Sequence, residues 1–271
     1  MSWRTSSRRA RWFRTRTARL EQAIPRGGLE ENGMNDIFYS VADEIFARFP
    51  DYARGVVLAY GVKNGDSPPE LVALLREAEA SLRGRMTIDQ VAAEPRFVSW
   101  REAFRWFGAK ASDFRASVEA MARRVLRGQE IPSINALVDI GNAVSLRHVM
   151  PAGGHAIDVV KQDIALRPAI GDEEFTAFGS TELEHPVPGE IILVEGKAVL
   201  TRRWCWRQAV HTLTLPETTA IEVNVDGMPP VPRPEVEDAC REMIALIERF
   251  CGGRARFEVL SRDAPRTRLS E

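Results

Sequence analysis

The stretch IPSINALVDIGNAVSLRHVMPAGG, residues 131–154, marks the point where the periodicity of the chain changes. Ile131-Pro132-Ser133 reads as a helix entry with Ser133 as the N-cap, because its hydroxyl can accept from a free first-turn amide. The helix is expected to run to about Arg147, and Pro151-Ala152-Gly153-Gly154 breaks the chain sharply. Upstream of this stretch the apolar spacing is mainly helical. Ile37, Val41, Ile45 and Phe49 form a short amphipathic helix ended by Pro50, and Pro68-Pro69 opens a helix with Leu71, Leu74, Leu75 and Ala78 on one face. Two further helices carry Trp100, Ala103, Phe104 and Phe107, then Phe114, Val118, Met121, Ala122 and Val125, closed by Gly108 and Gly128. Arg54 to Val62 is the exception, a buried strand.

Downstream of residue 160 the period becomes two. Strands are expected at Asp163–Leu166, Glu190–Val194, Ala198–Cys205 and Ala220–Val225, with turns rich in Gly, Pro and Asp between them. Val236, Cys240, Met243, Ile244 and Ile247 then make an amphipathic helix closed by Gly252-Gly253. Arg254–Leu260 is a last strand, and the polar residues 262–271 read as a flexible tail. Helices first, strands afterwards, then a helix and a strand: that order predicts an α+β fold rather than alternating α/β.

Composition bounds the function. The 271 residues can bury a sizeable core, and no run of about 18 apolar residues is present, so no membrane span is expected. Residues 1–33 hold eight Arg against three Glu, a net of +5, which leaves −6 for the remainder of a chain whose total is −1. Phosphate contacts dominate nucleic-acid affinity, so an acidic body argues against a broad RNA-binding surface and gives no reason to expect DNA. The basic segment 1–33 has three readings: a start at Met34, a disordered basic arm, or a targeting peptide. Three cysteines, Cys205, Cys240 and Cys251, lack the pairing of a disulfide framework and fit reduced thiols in a cytoplasmic setting.

Several motifs occur together in order: Ser99-Trp100-Arg101-Glu102-Ala103-Phe104, Ile134-Asn135-Ala136-Leu137-Val138-Asp139, Asn142-Ala143-Val144-Ser145-Leu146-Arg147, Pro151-Ala152-Gly153-Gly154, Gly171-Asp172-Glu173, Pro188-Gly189-Glu190 and Arg202-Arg203-Trp204-Cys205-Trp206-Arg207. In this order they resemble the B3/B4 domain of the phenylalanyl-tRNA synthetase β subunit, detached from the rest of a synthetase, over about residues 99–227. The resemblance implies a three-layer domain, here 34–261, of mixed β-sheets packed with helices. In the synthetase that module holds the site that hydrolyses misacylated tRNA. No residue of that editing site is carried over to this chain by number.

Two constellations carry candidate chemistry. Asn135, Asp139 and Asn142 recur on one helical face, with Ser145 and Arg147 beyond them. They are the candidate catalytic wall, with Asp139 placing a water or an ammonium group; the competing reading is a buried hydrogen-bond network. The amides of Gly153 and Gly154 could receive a carboxylate or phosphate, or simply form a tight turn. Alternation along an extended Arg202–Gln208 would set Arg203, Cys205 and Arg207 opposite Trp204 and Trp206, suited to stacking on a base or to ordinary core packing. Among the remaining acids, Asp172, Glu173, Glu190 and Glu222, no spacing makes a pair. His155 and Asp158 lack a third ligand at metal spacing, so neither a metal nor a cofactor is expected.

Two functions compete. One is a hydrolase acting in trans on the ester of a misacylated aminoacyl-tRNA. The other is a non-catalytic module that binds an amino-acid-like ligand or RNA, or a regulatory interaction protein with the cleft filled.

Overall fold

In the computed structural model, which describes residues 36–270, the elements run β1 (Phe38–Val41), α1 (Asp43–Arg48), β2 (Ala53–Tyr60), α2 (Pro69–Arg85), α3 (Pro95–Trp106), α4 (Ser117–Leu126), α5 (Ala136–His148), β3 (Ala152–Ala156), β4 (Ile164–Pro168), β5 (Phe175–Thr176) and β6 (Leu183–Glu184). They continue as β7 (Ile191–Glu195), β8 (Ala198–Arg202), β9 (Arg207–Gln208), β10 (Ala220–Gly227), α6 (Arg233–Cys251), β11 (Arg254–Leu260) and β12 (Arg266–Arg268). Residues 1–33, and the readings placed on them, lie outside the described residues.

Two sheets and a helical layer stack on one another. The first sheet has the order β11-β2-β10-β3 and is antiparallel throughout; the second has the order β12-β1-β4-β7-β8-β9, with only β1 and β4 parallel. Period-two burial explains the stacking. On β10, Ile221, Val223 and Val225 face a core shared with α5 and α6, through Leu137, Ile140, Val236 and Met243. On β2, Val56 and Leu58 belong to the other core, together with Tyr39 and Val41 of β1, Leu166 of β4 and Leu193 of β7. Strand β7 is buried along its whole length, and Ile192 and Val194 pack on its far side against Phe175 and Ala177. The chain forms the α+β fold expected from the order of elements, in the three layers that the resemblance implies.

Several local expectations change. Ile37–Phe49 divides into a strand and one short helix, because Tyr39 and Val41 pair with Ile164 and Leu166 in the middle of a sheet. Sheet pairing there overrides a helical spacing that was equally consistent with the apolar residues. The break at Gly153-Gly154 is instead part of β3, opposite Asn224 and Val223. A Cβ at Gly153 would lie 3.3 Å from the Asn224 Oδ1, and one at Gly154 3.1 Å from the Ile221 Cδ1, so the glycines admit close neighbours within a strand. The α5 N-cap is Asn135, not Ser133: the Asn135 Oδ1 accepts from the Val138 amide at 3.1 Å. The stretch after Ser261, expected to fray, contributes β12, which pairs with β1.

Gly253 joins α6 to β11 with φ +84°, and a Cβ there would lie 2.4 Å from the Tyr60 carbonyl oxygen. Backbone cannot swing aside as a side chain can. Gly253→Ala is therefore expected to destabilise the fold by about 1–3 kcal/mol, combining left-handed strain with overpacking. Urea unfolding checks it; an unchanged midpoint would mean that the α6–β11 connection shifts freely.

Candidate functional site

The alternation Ile221-Glu222-Val223-Asn224-Val225-Asp226 puts three polar side chains on the β10 face that looks toward the second sheet. Cross-strand register sets Asp226 opposite Arg54, Asn224 opposite Gly153, and Glu222 opposite His155. Arg54 and Asp226 are both fully buried and form an ion pair of 2.6 Å. The Arg54 Nε also donates to the Tyr39 hydroxyl at 2.7 Å, the Tyr52 hydroxyl donates to Asp226, and the Asn224 amide donates to the Asp226 Oδ2 at 3.0 Å. The Trp204 indole N–H completes the network by donating to the Tyr52 hydroxyl at 3.2 Å.

A cavity of about 170 Å³ opens at one end of this ladder, where β3, β8 and the 203–207 turn meet. A pocket of roughly 150 Å³ accommodates a benzene ring. Its polar floor is His155, Thr201, Gln208 and Asn224; its aromatic walls are Trp204 and Trp206; Gly153, Ser117 and Cys205 close it, and the exposed Arg207 stands on its rim. His155 holds the Thr212 Oγ1 at 2.8 Å through Nδ1 and faces the Thr201 Oγ1 at 3.2 Å through Nε2. The Gln208 amide donates to the Gly154 carbonyl at 2.8 Å and the Thr212 carbonyl at 3.2 Å, fixing its position.

Burial, reinforced by the charges of Arg54 and His211, pushes His155 down to about 3, so its imidazole is neutral at physiological pH. A neutral imidazole offers one donor and one acceptor. Burial also raises the Cys205 thiol well above its usual range, which leaves it a poor nucleophile. Glu222, behind His155, is pushed up to about 8 by burial, against the pull of Arg54 and the Tyr39 hydroxyl toward its charged form.

The wall around Trp206 is built by strain. The expected strand Arg202–Gln208 stops at Arg202, and Arg203 and Trp204 adopt φ of 47° and 64°. The alternation expected of an extended chain does not apply across that reversal. Trp204 turns into the core, edge-on to Tyr52 and Trp100 with centroids at 5.1 and 5.4 Å. Trp206 meets Phe114 edge-on at 4.9 Å, and the Arg203 guanidinium lies 3.7 Å from the Phe114 centroid and 4.5 Å from that of Trp206. Non-glycine residues in this region of φ persist only where the surroundings over-determine them.

The cavity therefore gathers Gly153, Trp204, Trp206 and Arg207, while Gly154 supports it through Gln208. The face of α5 is occupied elsewhere. Asp139 accepts from the Ser67 hydroxyl at 2.6 Å, the Ser133 hydroxyl and the Ile134 amide at 3.0 Å. The Asn135 amide donates to the Thr214 carbonyl at 2.9 Å, Ser145 donates to the Met150 carbonyl at 2.5 Å, and Arg147 pairs with Glu242. Neither these residues nor Asn142 line the cavity. Polar spacing on a helix cannot distinguish an internal network from a ligand wall, and here the network takes that face. Asp158 is likewise engaged, accepting from the Thr219 amide at 2.7 Å.

A family model described as the B3/4 domain matches residues 99–252, and the chain belongs to that family. A solved structure, an N-terminal fragment of the phenylalanyl-tRNA synthetase β subunit from Pyrococcus horikoshii, is similar at 10% identity and a TM-score of 0.45, over 88% of this chain and 55% of that one. The chain thus spans little more than half of that fragment. No curated protein matches.

Proposed function

We propose that the cavity receives the amino-acid end of an aminoacyl-tRNA and holds its ester against a bound water. The observation that carries this reading is the pairing of a small, neutral, hydrogen-bonding floor at His155, Thr201, Gln208 and Asn224 with the walls of Trp204 and Trp206. The B3/4 domain family supports it further, since in the synthetase this module holds the editing site. Arg207 on the rim is positioned for the phosphates next to the ester, a local contact compatible with an otherwise acidic body.

Hydrolysis would proceed by addition of water to the ester carbonyl and collapse of the tetrahedral intermediate. The ribose oxygen leaves with a proton, giving the free amino acid and uncharged tRNA. A group titrating near 3 is a weak general base at neutral pH, so His155 contributes by fixing the Thr201 hydroxyl, which in turn places the water. Orientation of an already labile ester supplies the acceleration. A second reading, binding without turnover, is favoured by the same weak basicity.

The test is ester loss from a panel of correctly and wrongly charged tRNAs incubated with the full chain, beside filter binding of the same species. Selective loss for one species is expected, lowered on the order of 10²-fold by His155→Ala while the protein stays folded. Asn135→Ala and Asp139→Ala are expected to act through stability, leaving the rate per folded molecule near that of wild type. Binding without ester loss would select the second reading, and neither binding nor loss would overturn both.

A further inference from the structure

Among the described residues seven large apolar side chains are exposed, and four of them, Ile170, Phe178, Leu183 and Val187, crowd into one short stretch at 70, 43, 55 and 64% exposure. Scattered exposed apolar residues are ordinary, whereas a group rimmed by charge marks an interaction surface. Thr176 sits opposite Leu183 in the β5–β6 ribbon. Phe175 and Ala177 are buried beneath it, so Thr176 faces outward with Leu183, and Phe178 is exposed in the turn that follows β5. Ile170 and Val187 flank the same ribbon, held together where the Ala169 amide donates to the Glu190 carbonyl at 2.7 Å and the Gly189 amide to the Ala169 carbonyl at 2.8 Å. None of the four lines the cavity.

The segment itself supplies only acids, and its cations come from neighbouring strands. From Ile170 to Glu190 the chain carries six acidic residues and neither Lys nor Arg. Neighbouring cations neutralise some of them: Arg167 pairs with Glu173, Lys197 with Asp172, and Arg202 with Glu184 and Glu190. Glu174 and Glu182 are exposed; Lys197, paired with Asp172, also feels the charge of Glu174, while Glu182 forms no ion pair among the described residues. An acidic apolar surface repels the phosphates of nucleic acid and anionic lipid alike. It complements a segment that combines cationic and apolar side chains. Strand β6 pairs only with β5 among the described strands, which leaves a short open edge for such a segment.

We infer that the β5–β6 ribbon is a docking surface for an extended, basic and apolar segment of another protein, separate from the cavity. Its apolar centre is Phe178 and Leu183, and its acidic rim is Glu174 and Glu182. The proposal does not rest on tRNA chemistry.

The test uses the full chain and two fluorescent synthetic peptides, one alternating Arg with Val and one alternating Glu with Val, followed by anisotropy at low and high salt. The Arg–Val peptide is expected to bind at least about tenfold more tightly than the Glu–Val peptide, with the preference weakened by salt. Phe178→Ser/Leu183→Ser and, separately, Glu174→Lys/Glu182→Lys should each lower that affinity roughly tenfold. All four positions are exposed, so both variants should fold, and ester loss or tRNA binding at the cavity should be unmoved. Equal binding of the two peptides, or wild-type affinity in both variants, would overturn the inference. So would concentration-dependent self-association of the wild type that Phe178→Ser/Leu183→Ser abolishes in sedimentation, because the occupant would then be a second copy of this chain.

Discussion

Asp226→Ala is expected to destabilise the protein by about 3–5 kcal/mol, among the largest effects of any single substitution in the chain. The reason is the partner it abandons. Arg54 is fully buried between the two sheets, and its Nη1 reaches the Asp226 Oδ1 at 2.6 Å. Without that carboxylate the guanidinium keeps only the hydrogen bonds of the Tyr39 and Tyr52 hydroxyls, and the other carboxyl near it, Glu222, is held protonated by burial at neutral pH. Asn224 and Tyr52 each lose an acceptor as well. Removing both charges is a different perturbation: Arg54→Met/Asp226→Leu replaces the pair with apolar groups and should recover most of the loss, since a buried ion pair contributes little over a packed apolar substitute. Urea unfolding of the single and double variants measures both. If Asp226→Ala fell within about 1 kcal/mol of wild type, water would have to reach Arg54, and the dry interior described for this ladder would be wrong.

The same ladder shows where sequence reasoning succeeded and where it stopped. The helices at Pro69–Arg85, Pro95–Trp106, Ser117–Leu126 and Arg233–Cys251 were legible because each carries an apolar stripe and a Gly or Pro boundary. Strand β11 was legible for the same kind of reason, bounded by Gly253 and a polar turn. The spacing of Ile37 and Val41 fits helix and strand equally well; only the parallel pairing of β1 with β4, far along the chain, decides between them. The 203–207 turn reads as extended because no Gly or Pro marks it, and its left-handed residues are an Arg and a Trp held by packing. Part of the cavity could still be found, since Trp204, Trp206 and Arg207 stand out by chemistry. Its floor could not: His155 lies far in sequence from Thr201 and Gln208, which themselves meet only through the β8–β9 pairing across the turn. One signal was present. Glu222, Asn224 and Asp226 alternate within an apolar strand, which predicts a polar face turned inward.

That inward face has a further consequence at Glu222. Its carboxyl is fully buried, and burial raises it from 4.5 to about 8 even though Arg54 and the Tyr39 hydroxyl favour the charged form. The titratable groups around it are Arg54, Asp226, Tyr39 and the neutral His155 across the strand. Between pH 4.5 and about 8 the folded chain keeps a proton that the unfolded chain has lost, so stability falls as pH rises through that window and levels off above it. A shift of this size corresponds to a loss on the order of 3–5 kcal/mol across the window. Glu222→Gln removes the titration while keeping the shape and a neutral polar end. The variant should match wild type near pH 4.5, where both side chains are neutral, and become progressively more stable than it toward pH 8 and beyond. Urea midpoints for both proteins across that range make the comparison. Parallel pH profiles would show that Glu222 ionises without penalty in the folded state, and so that water or a compensating cation reaches it behind His155.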